Sequence, residues 1–259
     1  MIRLLTILFV FAVANDSKAN SSQPNIILIM CDDLGWGDVG FNGNKIIKTP
    51  NLDSMANSGI KFDRFYAAAP VCSPTRGSVL TGRHPFRYGI YYANTGHMKE
   101  KELTLAEIMK TKGYRTGHFG KWHLGPLTTK IKDANRGGPK GAKHYSPPQD
   151  NGFDICFSTE SKVPTWDPMI VPKKFINGSS RRKWWNPVTD TKNTEHYGTH
   201  YWDQNGKVIT ANLTGSNSRV IMDRAIHFMK DSLKSKSPFF SVIWFHTPHL
   251  PVIAGPKYT

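Results

Sequence analysis

The chain has 259 residues, a formal charge of +15, and 39% hydrophobic and 12% aromatic residues. That apolar share is ordinary for a folded domain and excludes a disordered or fibrous chain, while the length allows one α/β domain or two small ones. The cationic excess favours anionic partners (nucleic acid, acidic membrane, or sulfated and phosphorylated substrates), and composition alone does not choose among them.

Arg3 precedes the apolar run Leu4 to Val13, and Ala12-Val13-Ala14 supplies a small-x-small cleavage pattern. Residues 1–14 therefore read as a secretory signal peptide, with cleavage between 14 and 19, and residues 15–23 as a polar, disordered linker. The run is too short to span a membrane and no other segment could, so the mature protein is expected to be secreted or periplasmic. Asn25 to Met30 is a continuous apolar run of strand length, the pattern of a strand buried on both faces. Thr49-Pro50 opens a short helix that Gly59 closes. Ile60 to Tyr66 alternates apolar and polar residues and predicts a strand. Pro74 suits the first turn of a helix beginning near Ser73, with Ser73 or Cys72 as its cap. A further helix spans Thr104 to Lys112, with Glu107 in the capping-box position and Gly113 as terminator.

Tyr114 to Phe119 predicts the next strand. From about 126 to 217 the chain is rich in Gly, Pro, Lys, Asn and Trp and holds no long periodic element. It reads as an irregular insertion of loops over the sheet edge, where selectivity would reside. Within it, Arg181-Arg182-Lys183-Trp184-Trp185 sets cations beside aromatics, which suits a sulfated sugar and equally a solvated basic loop. Ser218 to Lys234 is an amphipathic helix with Val220, Ile221, Ala225, Phe228 and Met229 on one face. Phe239 to Phe245 is a second fully apolar strand. Strands and helices alternate throughout, which predicts an α/β fold with a mostly parallel central sheet flanked by helices.

Open parallel sheets bind ligands beyond the carboxyl ends of their strands. Three predicted strands end in polar clusters there: Asp32-Asp33, Lys121-Trp122-His123, and His246-Thr247-Pro248-His249. Cys72 stands at a helix start with the guanidinium of Arg76 one turn on, an anion site with a thiol nucleophile in it. Each cluster also has a plainer reading. Paired aspartates cap helices and form turns, although like charges in a crevice favour a hard cation held by oxygen. His123 alone would be structural and Lys121 a surface charge. His246 and His249 lack companions at zinc-binding spacing. Three cysteines make an odd count, and the pairing of Cys31 with Cys156 is left open. Asn177 and Asn212 head glycosylation sequons.

The run Cys72-Ser73-Pro74-Thr75-Arg76 through Thr81-Gly82-Arg83 resembles, position by position, the signature of the type I, formylglycine-dependent sulfatases. Asp32-Asp33, Gly120-Lys121-Trp122-His123-Leu124-Gly125 and His246-Thr247-Pro248-His249-Leu250-Pro251 resemble further motifs of that family. The resemblance implies an alkaline phosphatase-like fold and conversion of Cys72 to formylglycine (3-oxoalanine) by a formylglycine-generating maturation enzyme. It implies a divalent cation, calcium in most relatives, on Asp32, Asp33 and the residue at 72. The hydrated aldehyde would attack sulfur through one oxygen, expel the alcohol, and release sulfate as the other oxygen collapses back to the aldehyde. Arg76 would anchor the diol, Lys121 would bind sulfate oxygens, His249 would protonate the leaving oxygen or bind sulfate beside it, and His123 would assist collapse. His246 joins Lys121 and His249 as a weaker substrate-binding candidate. The implied substrate is an aryl or carbohydrate sulfate, with no nucleic acid partner. Two rivals are a phosphoester or phosphonate monoester hydrolase of the same superfamily, and a non-catalytic protein that binds sulfated glycans. Family members add an Asp-Asn pair and another lysine from a later strand, which this sequence does not show in a suitable place. Residues 24–259 are therefore expected to be the N-terminal part of a sulfatase catalytic domain, incomplete at its C-terminus, with activity as written in doubt.

Overall fold

The computed structural model describes residues 23–176 and 178–258. The leader expected over 1–14, the linker apart from Gln23, and Asn177 of the first sequon lie outside the described residues.

In chain order the strands are β1 (Ile26–Asp32), β2 (Arg115–Lys121), β3 (Ile155–Thr159), β4 (Ile170–Pro172), β5 (Thr194–His196), β6 (Tyr201–Asp203), β7 (Val208–Ile209) and β8 (Phe239–Pro248). Six of them form one sheet in the order β1-β8-β2-β3-β6-β7, while β4 and β5 pair separately. β8 runs parallel to β1 (Ile27 beside Ser241) and to β2 (Gly117 beside Ser241), and β2 runs parallel to β3. Only β6 and β7 are antiparallel additions at one edge. The mostly parallel sheet expected from the sequence is present.

The helices are α1 (Pro50–Ser58), α2 (Cys72–Thr81), α3 (Pro85–Tyr88), α4 (Leu105–Thr111) and α5 (Asn217–Lys234). Alternation along β8 shows why they cover both faces. Phe240, Val242 and Trp244 join one core with Leu80 of α2 and Ala106 of α4. Phe239 and Ile243 join the other with Val220, Ile221, Ala225 and Phe228 of α5. A strand sends successive side chains to opposite faces, so a fully apolar strand needs a helix layer on each. The face predicted for α5 is the face it buries, with Met229 packed at its margin. α4 carries the predicted capping box: Thr104 Oγ1 accepts from the Glu107 amide and Glu107 accepts from the Thr104 amide.

Four expectations are corrected. β1 is not buried on both faces: it is the edge strand beside β8, and Ile27 and Ile29 on its outer face are exposed. Ile60 to Tyr66 forms no strand; Ile60, Phe62, Phe65 and Tyr66 are exposed and no described strand pairs with them. Alternation does not hold a segment extended without a ladder partner. The insertion at 126–217 is more than loops over an edge, because it supplies β3, β6 and β7 to the main sheet. α2 is capped by Val71, in extended backbone and without a side-chain hydrogen bond, so Cys72 lies inside the first turn rather than at the cap.

One glycine sets the approach of β2 to β8. Gly120 has φ +108, and a Cβ there would sit 1.9 Å from the Trp244 carbonyl oxygen. Only glycine lets the strand end pass that close and turn Lys121 into the protein.

Candidate functional site

β1 carries a register shift between Met30 and Asp32 where it pairs with β8. Such a bulge re-aims the residues beside it, and Asp32 is 3% exposed. Its Oδ1 accepts from Arg76 Nη2 at 3.0 Å and its Oδ2 from Lys121 Nζ at 2.7 Å. Arg76 also donates from Nη1 to the Lys121 carbonyl at 3.0 Å and lies over the Trp244 ring, 5.0 Å from its centroid. The ends of β1 and β2 and the first turns of α2 are thereby tied at one point. Burial pushes the Asp32 carboxyl up, but Arg76 and then Lys121 overcome this and hold it well below the usual carboxylate range. Two cations share one carboxylate in a dry setting, which leaves the cluster with one net positive charge. A buried charge is costly unless paired, so the cluster is poised for a further anion.

That anion has a place to enter. Lys121 lines a cavity of about 570 Å³ together with Cys72, His123 and His249. Lys121 spends one of its three donors on Asp32, and no other hydrogen bond of its ammonium occurs among the described residues. His249 Nε2 lies 3.5 Å from Asp33 Oδ2, and its Nδ1 bonds the Leu250 carbonyl. Asp33, Cys72 and His249 bring their ligating atoms within 4.8 Å of one another.

His123 is 3% exposed and its Nε2 lies 2.9 Å from Asn94 Oδ1, which also accepts from Asn135 Nδ2 at 2.8 Å. Asn94 thus assigns the ring proton to Nε2. Nδ1 is left as a bare acceptor, buried and without a partner among the described residues. Burial, then Lys121 and Arg76, lower the pKa of this imidazole well below the ordinary value, which keeps it neutral. Asp33 (φ 66), Asn94 (φ 63), His123 (φ 56) and Ala134 (φ 46) are all left-handed. Strained non-glycine backbone of this kind concentrates at functional sites.

The structure brings Asp32, Arg76 and Lys121 into one cluster and Cys72, His123 and His249 to the adjoining cavity, with Asp33 beside Cys72 and His249. Arg76 is not on the cavity wall; it contacts Asp32 and the Lys121 carbonyl behind it. His246, expected among the substrate-binding residues, is fully buried behind the wall. It bonds Thr159 Oγ1 at 2.8 Å through Nε2 and Asn217 Nδ2 at 2.9 Å through Nδ1. Within the Arg-Arg-Lys-Trp-Trp run, Arg181 and Arg182 reach the cavity, whereas Trp185 belongs to the core. Asn94, Asn135 and Lys162 were not anticipated. Lys162 follows β3 as Lys121 ends β2, so recognising that short strand would have exposed it. Nothing in the sequence singles out Asn94.

As a potential cation site, the rim offers the Asp33 carboxylate, half open to solvent, and the remaining lone pairs of Asp32. An oxygen-bearing residue at 72 would complete a hard donor set on one side. The donor chemistry fits a divalent ion of the calcium type.

His246 also sets a pH dependence. Burial first, then Lys121 and Arg76 against the opposing Asp32, lower its pKa to about 3. An unfolded histidine titrates near 6.5, so the unfolded chain takes up a proton that the fold refuses. Stability is therefore full above about pH 6.5 and falls as pH drops towards 3, by about 2 kcal/mol from this residue at pH 5. Urea midpoints at pH 7.5 and 5 should show this loss, and His246→Gln should remove that share of it.

The family model described as Sulfatase matches residues 24–259. Human steryl-sulfatase is 45% identical over 115 residues, 40% of this chain and 20% of its own length. Canine N-acetylgalactosamine-6-sulfatase is 33% identical over 265 residues, 96% of this chain and 44% of its own. The crystal structure of Ps i-CgsB superposes with a TM-score of 0.67 at 28% identity, covering 90% of this chain and 47% of that one. The structure of BT4656 in complex with its substrate D-glucosamine-2-N,6-O-disulfate superposes at 0.58 and 25% identity, covering 88% and 35%. The chain thus spans less than half the length of these relatives.

Proposed function

The chain belongs to the sulfatase family, and from that premise we propose that its rim cluster serves hydrolysis of sulfate esters. The observation that carries this reading is the net positive Asp32–Arg76–Lys121 cluster beneath a cavity that also holds Cys72, His123 and His249. A sulfate group brings the missing negative charge and several acceptors for the uncommitted Lys121 donors. His249 has Nδ1 committed to a carbonyl, so Nε2 is the atom that can hand a proton to a leaving oxygen. Burial, and then Lys121, lower its pKa, which makes the protonated ring a stronger acid once a sulfate charge has drawn the proton on. His123 Nδ1, a bare acceptor, can take a hydroxyl proton from position 72.

Formylglycine made from Cys72, with calcium on Asp32 and Asp33, would supply a hydroxyl nucleophile and a Lewis acid that the unmodified side chains lack. Ser73, Pro74 and Arg76 are buried in α2, so a maturation enzyme must reach the Cys72 motif before this helix docks. The protein is exported by its leader to a secreted or periplasmic location, in keeping with this use. No helix among the described residues is long and apolar enough to cross a membrane.

The test is product release from matched sulfate and phosphate esters, with peptide mass spectrometry across residue 72. Sulfate release, negligible phosphate release and an aldehyde at 72 are expected. Faster cleavage of the phosphate ester, or an unmodified thiol in a fully active preparation, would overturn the proposal.

A further inference from the structure

The cavity carries more positive charge than one sulfate group uses. Lys132, Lys162 and Arg182 line it along with Lys121, and none of the three forms an ion pair among the described residues. Other cations nearby are spoken for. Arg181 pairs with Glu195 at 2.9 Å and lies over the Tyr197 ring, and Arg136 pairs with the buried Glu160 at 3.1 Å. Lys162 is half-buried. Burial, then Lys121 and Arg182, lower the pKa of its ammonium against the opposing pull of Asp32 and Asp33. Like charges gathered without acidic partners destabilise one another until an anion enters between them.

The wall chemistry narrows the ligand. Tyr197, itself 9% exposed, is the one aromatic residue on it, and the remaining lining is mostly Lys, Arg, Asn, Ser, Thr and Gly. A second cavity of about 630 Å³ adjoins the first, with Lys132, Ala134 and Asn135 lining both and Lys140 beyond them. Both cavities are therefore lined by cations.

We propose that Lys162 and Arg182, with Lys132 on the shared wall, form a second anion subsite that selects a sulfated glycan bearing a further sulfate or carboxylate next to the ester held at Cys72 and Lys121. The inference rests on the sulfatase reading and adds the substrate class to it. An aryl or steryl monosulfate has no group for this subsite, whereas a polyanionic sugar chain fills both.

The experiment measures Kd by calorimetry for three disaccharides that share one sulfate ester: one with no other charge, one with a second sulfate, and one with a uronate. Sulfate release from each by the unaltered protein is recorded alongside. The doubly charged ligands should bind at least about tenfold tighter than the monosulfate, a difference of about 1.4 kcal/mol. In Lys162→Gln/Arg182→Gln that ratio should fall to about one, while Lys162→Arg should preserve it. Tighter binding of only one doubly charged ligand identifies whether sulfate or carboxylate is preferred. A ratio near one in the unaltered protein, or one unchanged in the double variant, overturns the subsite. If no ligand releases sulfate yet the ratio collapses in the variant, the hydrolase reading fails and the subsite stands.

Discussion

Asp32→Ala is expected to destabilise the fold by about 3–5 kcal/mol, the cost of stripping one partner from a buried ion pair. Arg76 and Lys121 are each 1% exposed and both spend donors on this carboxylate. Without it two cations face each other in a dry setting, with the Lys121 carbonyl and the Trp244 ring the remaining contacts of the guanidinium. Exposed pairs such as Lys61–Asp63 behave differently, because water screens them and their loss is worth well under about 1 kcal/mol. Urea denaturation at pH 7.5 reads the effect. A double variant, Asp32→Ala/Lys121→Met, separates charge from packing. Removing one stranded cation should recover at least about 1 kcal/mol relative to Asp32→Ala alone, since residues in one network couple on that scale. A shift below about 1 kcal/mol in the single variant would show that the cluster is hydrated rather than buried. The same carboxylate sets an acid limit. Its pKa is depressed in the fold, so its contribution is complete above about pH 4 and is lost only as pH falls below that.

Much of this arrangement was legible in the sequence because it follows from strand polarity. Asn25 to Met30, Tyr114 to Phe119 and Phe239 to Phe245 were each readable as strands of a parallel sheet, and their carboxyl ends share one rim, although β1 lies at the sheet edge and only β2 and β8 are interior. The charged residues next in sequence, Asp32, Lys121 and His249, therefore meet in space, and they do so within ion-pair distance or around one cavity. What stayed hidden has three physical sources. β3 is a five-residue strand, Ile155–Thr159, set among glycines and prolines, and it is held by its neighbours rather than by its own pattern. Lys162 was missed with it. Asn94 and His123 take left-handed backbone that only tertiary contacts enforce, so no local signal marks the hydrogen bond that directs the imidazole. Ile60 to Tyr66 erred in the opposite direction. Its alternation is a valid strand pattern, but a ladder needs a partner strand as well as a pattern.

If the proposed sulfatase chemistry holds, Cys72→Ser should yield a protein that reacts once and does not turn over. Serine puts a hydroxyl at the first turn of α2, beside Lys121 and within the same cavity as His123 and His249. Its Oγ can attack sulfur as its proton passes to His123 Nδ1, the S–O bond to the alcohol breaks, and the departing oxygen takes the proton that His249 holds at Nε2. The product is a sulfate ester on residue 72. A hydrated aldehyde carries a second hydroxyl on the same carbon, from which a base such as His123 Nδ1 can draw a proton to release sulfate by C–O cleavage. Serine has no such hydroxyl, so the ester persists. One equivalent of alcohol per protein should appear as a burst, steady turnover should fall by at least about 10³-fold, and the peptide containing residue 72 should gain the mass of one sulfo group. Cys72→Ala should show neither burst nor added mass. Sustained turnover by the serine variant, or equal labelling of the alanine variant, would place the nucleophile elsewhere and leave the charge cluster without the chemistry assigned to it.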